Sequence, residues 1–206
     1  MIHVFSRCLT MLALGLLLMT CAGCASTAPS RFYQLNSLKT GDALTVAGAH
    51  EQAVILAIGP LRIPDYLDRP QIVTRSGRSE LRLAEFDRWA GSLEKDIIRV
   101  LAEDVSALLP ADRFFVIHWV SASQSAASSL YRVEVNIIRF EGAPGESVML
   151  NAQWAVFHRE KGMLLNREST IREEVRGAGY DALVSALSSA LGGLSREIAT
   201  AVMPLR

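Results

Sequence analysis

The sequence predicts an α+β fold, a mostly antiparallel sheet with two long amphipathic helices packed on one face, in a single domain. Three observations predict it. Apolar residues recur in steps of four and three over residues 180–202. A second apolar stripe runs over residues 89–108. Between them, residues 130–140 and 148–158 alternate with period two, as strands with one wet face do.

The chain opens with a segment that stands apart from the fold. Residues 1–23 hold Arg7, an apolar run over 9–19 and the small pair Ala22-Gly23. The run falls short of the roughly 20 apolar residues that cross a bilayer, so it reads as a secretory signal. Cys24 follows Ala22-Gly23 directly, which resembles a bacterial lipobox whose cysteine is diacylated and becomes the first mature residue. The expected anchor is a covalent lipid on Cys24, with no other cofactor. Two alternatives are a frame ending at Cys21, with Thr20 where a small residue is usual, and an ordinary cleaved signal. Ala25 is not the Asp that resembles an inner-membrane retention signal, which points to the outer membrane.

Residues 24–30 form a polar tether, and 31–206 form the domain. Residues 31–35 suit a first strand, and 36–52 a loop. Residues 54–58 are a continuous apolar strand, central or buried on both faces, which Gly59-Pro60 ends or bends. Pro64 and Pro70 make 61–70 an extended loop. Residues 71–75 and 80–83 form a hairpin around a turn at 76–79, and 84–88 turn into the first helix. That helix spans 89–108, with Trp89, Leu93, Ile97, Leu101, Val105 and Leu108 on its apolar stripe and Pro110 as its stop. Residues 114–119 are a strand, and 121–129 a serine-rich loop. Tyr131, Val133, Val135 and Ile137 share one face of the next strand; Val148, Leu150, Ala152, Trp154 and Val156 share one face of its partner. Residues 165–175 are polar enough for an edge. In the last helix Gly192 and Gly193 each cost about 1 kcal/mol relative to Ala, so packing must hold it, against the sheet or against a second copy.

Composition excludes several classes. The chain has 21 basic and 21 acidic residues, without the basic excess of a nucleic-acid binder. Cys8 and Cys21 leave with the signal, so Cys24 alone remains and no internal disulfide or cysteine nucleophile is expected. His50, His118 and His158 lack metal-ligand spacing and read as structural or surface residues. No Gly-x-Ser-x-Gly elbow or phosphate loop occurs. Glu85 and Asp87 are an acid pair that helix capping or the helix dipole explains better than catalysis. The expectation is a protein that is not an enzyme.

Gly59-Pro60, the block Pro64-Asp65-Tyr66-Leu67-Asp68-Arg69-Pro70-Gln71-Ile72-Val73-Thr74-Arg75 and Ala84-Glu85-Phe86-Asp87-Arg88-Trp89 stand in order. With Arg31-Phe32-Tyr33-Gln34-Leu35 after the cysteine, they resemble the ABC-type transport auxiliary lipoprotein family in its PqiC-like form. The resemblance implies a lipoprotein of the outer membrane that faces the periplasm. It would work with an MCE-domain protein (PqiB-like) that bridges the envelope and, indirectly, with a PqiA-like inner-membrane protein. Such systems are linked to lipid movement and membrane integrity. The expected partner-binding segment is 64–75, with Tyr66, Leu67, Arg69 and Arg75 bordered by Phe86 and Trp89, residue types that include common interface anchors. The alternative is that Tyr66 and Trp89 seal the core while the arginines face water. A homo-oligomeric ring would suit a tunnel mouth. Rival readings are a lipid carrier with a cavity lined by Trp154, Leu187 and Leu191, and an auxiliary lipoprotein of an MCE system driven by an ABC ATPase.

Overall fold

The computed structural model describes residues 28–38, 54–119 and 131–205. The signal, Cys24, His50 and the serine-rich loop lie outside the described residues. Eight strands and two helices follow in order: β1 (Arg31–Tyr33), β2 (Val54–Arg62), β3 (Gln71–Ser76), β4 (Glu80–Trp89), α1 (Leu93–Leu108), β5 (Phe114–His118), β6 (Tyr131–Gly142), β7 (Ser147–His158), β8 (Gly162–Glu174) and α2 (Tyr180–Val202).

The period-two segments form the backbone of the sheet. β6, β7 and β8 pair antiparallel in long ladders, and β8 is an edge as its polarity implies. Along its other side β6 meets two neighbours. Its first half pairs with β2, which leads to β5; its end pairs with β3, which leads to β4 and β1. Four of the seven pairings are parallel (β1–β4, β2–β5, β2–β6 and β3–β6), so the sheet is mixed and the mostly antiparallel expectation is corrected. The cause is the connection. The β3–β4 hairpin and α1 lie between β2 and β5, and a crossover of that length returns the chain parallel. The unbroken apolar run of β2 fits a strand with parallel neighbours on both sides.

Gly59-Pro60 bends β2 rather than ending it. The strand continues to Arg62, the Gly59–Pro60 peptide is cis, and the register with β6 shifts between Ile58 and Leu61. Gly59 has φ +116°, and a Cβ there would lie 2.7 Å from the Cβ of Trp119, so glycine is required twice over.

The first helix begins later than its stripe suggested. Residues 84–88 are strand, not turn, and Trp89 ends β4 opposite Tyr33, its N–H donating to Pro70 O at 2.7 Å. Ser92 caps α1 by accepting from the Lys95 N–H, and Glu94 and Asp96 occupy the first turn, where the helix dipole favours them.

The last helix spans the expected residues and packs on α1, β7 and β8. Its glycines are sites of close approach: a Cβ on Gly192 would meet the Leu38 side chain at 2.6 Å, and one on Gly193 would meet Ile171 at 3.1 Å. The chain itself therefore supplies the packing that holds α2.

Candidate partner-binding surface

Leaving β2, the chain makes a tight bend. Leu67 N–H donates to Pro64 O at 2.9 Å and Asp68 N–H to Asp65 O at 3.2 Å. The bend drives Leu67 into the core, where it is 2 % exposed. Beside it the Tyr66 hydroxyl donates to Glu141 Oε2 at 2.7 Å. Arg75 Nε donates to Glu141 Oε1 at 2.6 Å, Arg139 Nε donates to the same oxygen at 3.0 Å, and the Phe140 N–H reaches Oε2 at 3.1 Å.

Glu141 is thus the hub of the segment, and its side chain is fully buried. Burial pushes its carboxyl up, but hydrogen bonds from Tyr66, Arg75 and Arg139 and the charge of Arg75 outweigh burial and hold it below the usual carboxylate range. Burial and the hydrogen bond to Glu141 together push the Tyr66 hydroxyl up to about 12. A carboxylate on a strand that otherwise alternates cleanly carries no local signal of such partners, so the sequence did not reveal it.

The six expected residues divide. Tyr66 and Arg75 meet on Glu141, while Leu67 and Trp89 are buried in the core. Phe86 and Arg69 are half-buried, and Arg69 Nε has no partner among the described residues. Asp87 does not cap a helix. It lies buried on β4, where it accepts from the Tyr33 hydroxyl at 2.8 Å and pairs with Arg31 at 2.9 Å.

The chain after β1 is strapped to the helices. Leu35 N–H donates to Asp96 Oδ2 at 2.8 Å, and Arg99 Nη2 donates to Leu35 O at 2.7 Å. Asn36 N–H donates to Ser188 Oγ at 3.0 Å, and Leu38 N–H to Asp104 Oδ1 at 2.7 Å. His158 is structural: its Nδ1 accepts from the N–H groups of Glu160 and Lys161, and its ring stands edge-on to Tyr131. His118 ends β5 on the surface.

Trp154, Leu187 and Leu191 are 1 %, 2 % and 0 % exposed and belong to the packed core. The Trp154 Nε1–H is satisfied by Ser169 Oγ at 2.8 Å. A groove of about 740 Å³ lies between the end of β8 and α2, but Arg172, Glu174, Arg176 and Asp181 line it, and such a lining suits water rather than acyl chains. No helix among the described residues is long and apolar enough to cross a membrane.

The family model described as an ABC-type transport auxiliary lipoprotein component matches residues 33–199. The chain is 25 % identical over 186 residues to the intermembrane transport lipoprotein PqiC of Escherichia coli (strain K12), covering 90 % of this chain and 91 % of that one. It is equally similar to the PqiC of Shigella flexneri. Among solved structures, an uncharacterized protein aligns with TM-score 0.67 at 19 % identity, covering 85 % of this chain and 99 % of the other. A Xanthomonas campestris protein aligns with TM-score 0.63 at 16 % identity, covering 84 % and 95 %. These two structures share the fold.

Proposed function

The chain belongs to the ABC-type transport auxiliary lipoprotein components, which are not an enzyme class, and from that premise we propose that it is the outer-membrane lipoprotein of a PqiABC-like intermembrane lipid transport system. The observation that carries this reading is the match over nine-tenths of both chains to a lipoprotein named for intermembrane transport. In it, the lipid on Cys24 holds the domain on the periplasmic side of the outer membrane. The domain docks an MCE-domain protein of the PqiB type, which links it to a PqiA-like inner-membrane partner, and it does so without catalysis. Tethering raises the effective concentration of the domain for that partner.

The docking surface in this reading is the 64–75 segment. Glu141 holds Tyr66 and Arg75 in fixed positions, which lowers the entropy cost of presenting that surface. Arg69 is half-buried, its Nε buried and unpartnered among the described residues, and in this reading its exposed part meets the partner. Phe86, also half-buried, borders it.

In-cell crosslinking of the tagged full chain, with mass spectrometry of what it captures, tests the proposal. An MCE protein is expected, and Arg69→Ala should reduce its capture while leaving the fold intact. Recovery of no envelope protein, with phospholipid bound to the purified chain, would replace docking with a carrier. The packed surroundings of Trp154, Leu187 and Leu191 favour docking over that carrier.

A further inference from the structure

We propose that the outer face of the sheet at its β1 end rests on the phospholipid surface that holds the anchor, with Phe32 at headgroup depth and the Arg88 guanidinium on lipid phosphate. The inference rests on Cys24 as the lipid anchor.

Register decides which side chains share this face. Tyr33 packs at 6.4 Å from the ring of Tyr180, the first residue of α2, so Phe32 points away from the helices. Phe32 stands opposite Arg88, and Arg88 stands opposite Gln71. Val73 lies two residues further along β3 and pairs with Leu83. Phe32, Arg88 and Leu83 therefore share the outer face within two rungs. Phe32 is 65 % exposed and Leu83 50 %.

Nothing among the described residues covers this pair of apolar side chains. Arg88 adds a second anomaly: its Nε is buried without a partner among the described residues. Asp87 does not answer it, being held by Tyr33 and Arg31. A phosphate is the acceptor that a guanidinium beside an apolar surface suits. Phe and Leu side chains flanked by basic residues settle at the boundary between headgroups and acyl chains.

The occupant follows from the length of chain between anchor and strand. Residues 25–30 separate Cys24 from Arg31. Seven steps of chain reach about 25 Å when fully extended. That reach keeps β1 within about 25 Å of the bilayer, so the exposed face at this end of the sheet is within reach of lipid.

The test uses the full chain, lipidated in cells and reconstituted into vesicles of phosphatidylethanolamine and phosphatidylglycerol with brominated acyl chains. Phe32→Trp adds a reporter at an exposed position. Met163→Trp, on β8 and 58 % exposed, is the control. The added emission of F32W should shift to the blue and be mostly lost to bromine quenching, while that of M163W stays unquenched. Vesicle flotation and the mass of the Cys24 peptide separate the two readings. A chain without lipid that does not float overturns the anchor and this inference with it. A chain that floats with F32W unquenched, or with both positions quenched equally, overturns the inference alone.

Discussion

Tyr66 and Glu141 are 75 residues apart in the chain and 2.7 Å apart in space. That bond ties the bend after β2 to the end of β6 across the outer face of the sheet. Arg75 and Arg139 close on the same carboxylate, which leaves one buried acid with two cations and a hydroxyl. Such a cluster is satisfied only as a whole, so the shape of the 64–75 segment depends on each member.

Removing the hydroxyl alone should have a moderate effect. Tyr66→Phe keeps the ring against the core and leaves Glu141 with its cations and the Phe140 N–H. A hydrogen bond to a charged group is worth about 2 kcal/mol. Arg75→Ala should cost more, roughly 3 kcal/mol, because it strips a buried charge of its principal counterion. Urea unfolding of both variants checks the order; equal losses would show that Arg139 compensates fully.

How much of this was legible follows from the physics of each element. The α2 helix was readable to the residue because its seam persists over 23 residues. β6 and β7 were readable because one face is wet and the other faces the helices. Trp89 misled because it lies four residues before Leu93 and fits a helical stripe and a strand end equally well. Ser92, a capping residue just before Leu93, is the signal that would have placed the start. The full length of β4 is hidden in the sequence because its register shifts against β3 between Gln71 and Val73, which breaks the alternation. The role of Glu141 in the 64–75 segment had no local signal, since Tyr66 and Arg75 reach it from separations of 75 and 66 residues.

Two buried acids should respond to pH with opposite signs. Glu141 is held below its ordinary value, so the stability it adds is present at neutral pH and is lost as pH falls through its native value. Asp104 is pushed up by burial, against the Leu38 N–H and the Ser195 hydroxyl, which favour its charged form. Its contribution is present in acid and declines as pH rises through its raised value. Glu141→Gln should therefore be most destabilising at neutral pH and approach wild type in acid. Asp104→Asn, which can still accept from Leu38 N–H, should gain on wild type as pH rises. Unfolding midpoints of both variants across pH test this, and parallel curves would refute both assignments.

Gly142 should tolerate no side chain. A Cβ there would collide with Ser147 O and lie 2.6 Å from Val148 Cα, both backbone atoms of the paired strand β7. Neither can move without breaking the ladder. Gly142→Ala should cost roughly 3 kcal/mol as overpacking. Gly91→Ala, with nothing within 4 Å of its Cβ, is the control and should be near neutral. A folded G142A with an unchanged midpoint in urea would show that the β6–β7 turn yields more easily than its ladder implies.

The N-terminal attachment should open locally before the domain unfolds. β1 has three paired residues, and Asp87 supplies its side-chain hold through Tyr33 and Arg31. Beyond it, Asp96 and Arg99 clamp Leu35, and Asp104 clamps Leu38. In the proposed tethered state, load passes through β1 first and the strap second. Asp87→Ala should therefore speed trypsin cleavage after Arg31 while the urea midpoint moves little, since Leu35 stays seated at 1 % exposure. Asp96→Ala should go further, because it frees the Leu35 N–H and removes one of the two carboxylates that hold Arg99, leaving Glu103 at 2.9 Å. Cleavage in D87A at the wild-type rate would mean that the strap alone holds the attachment, with β1 adding nothing to it.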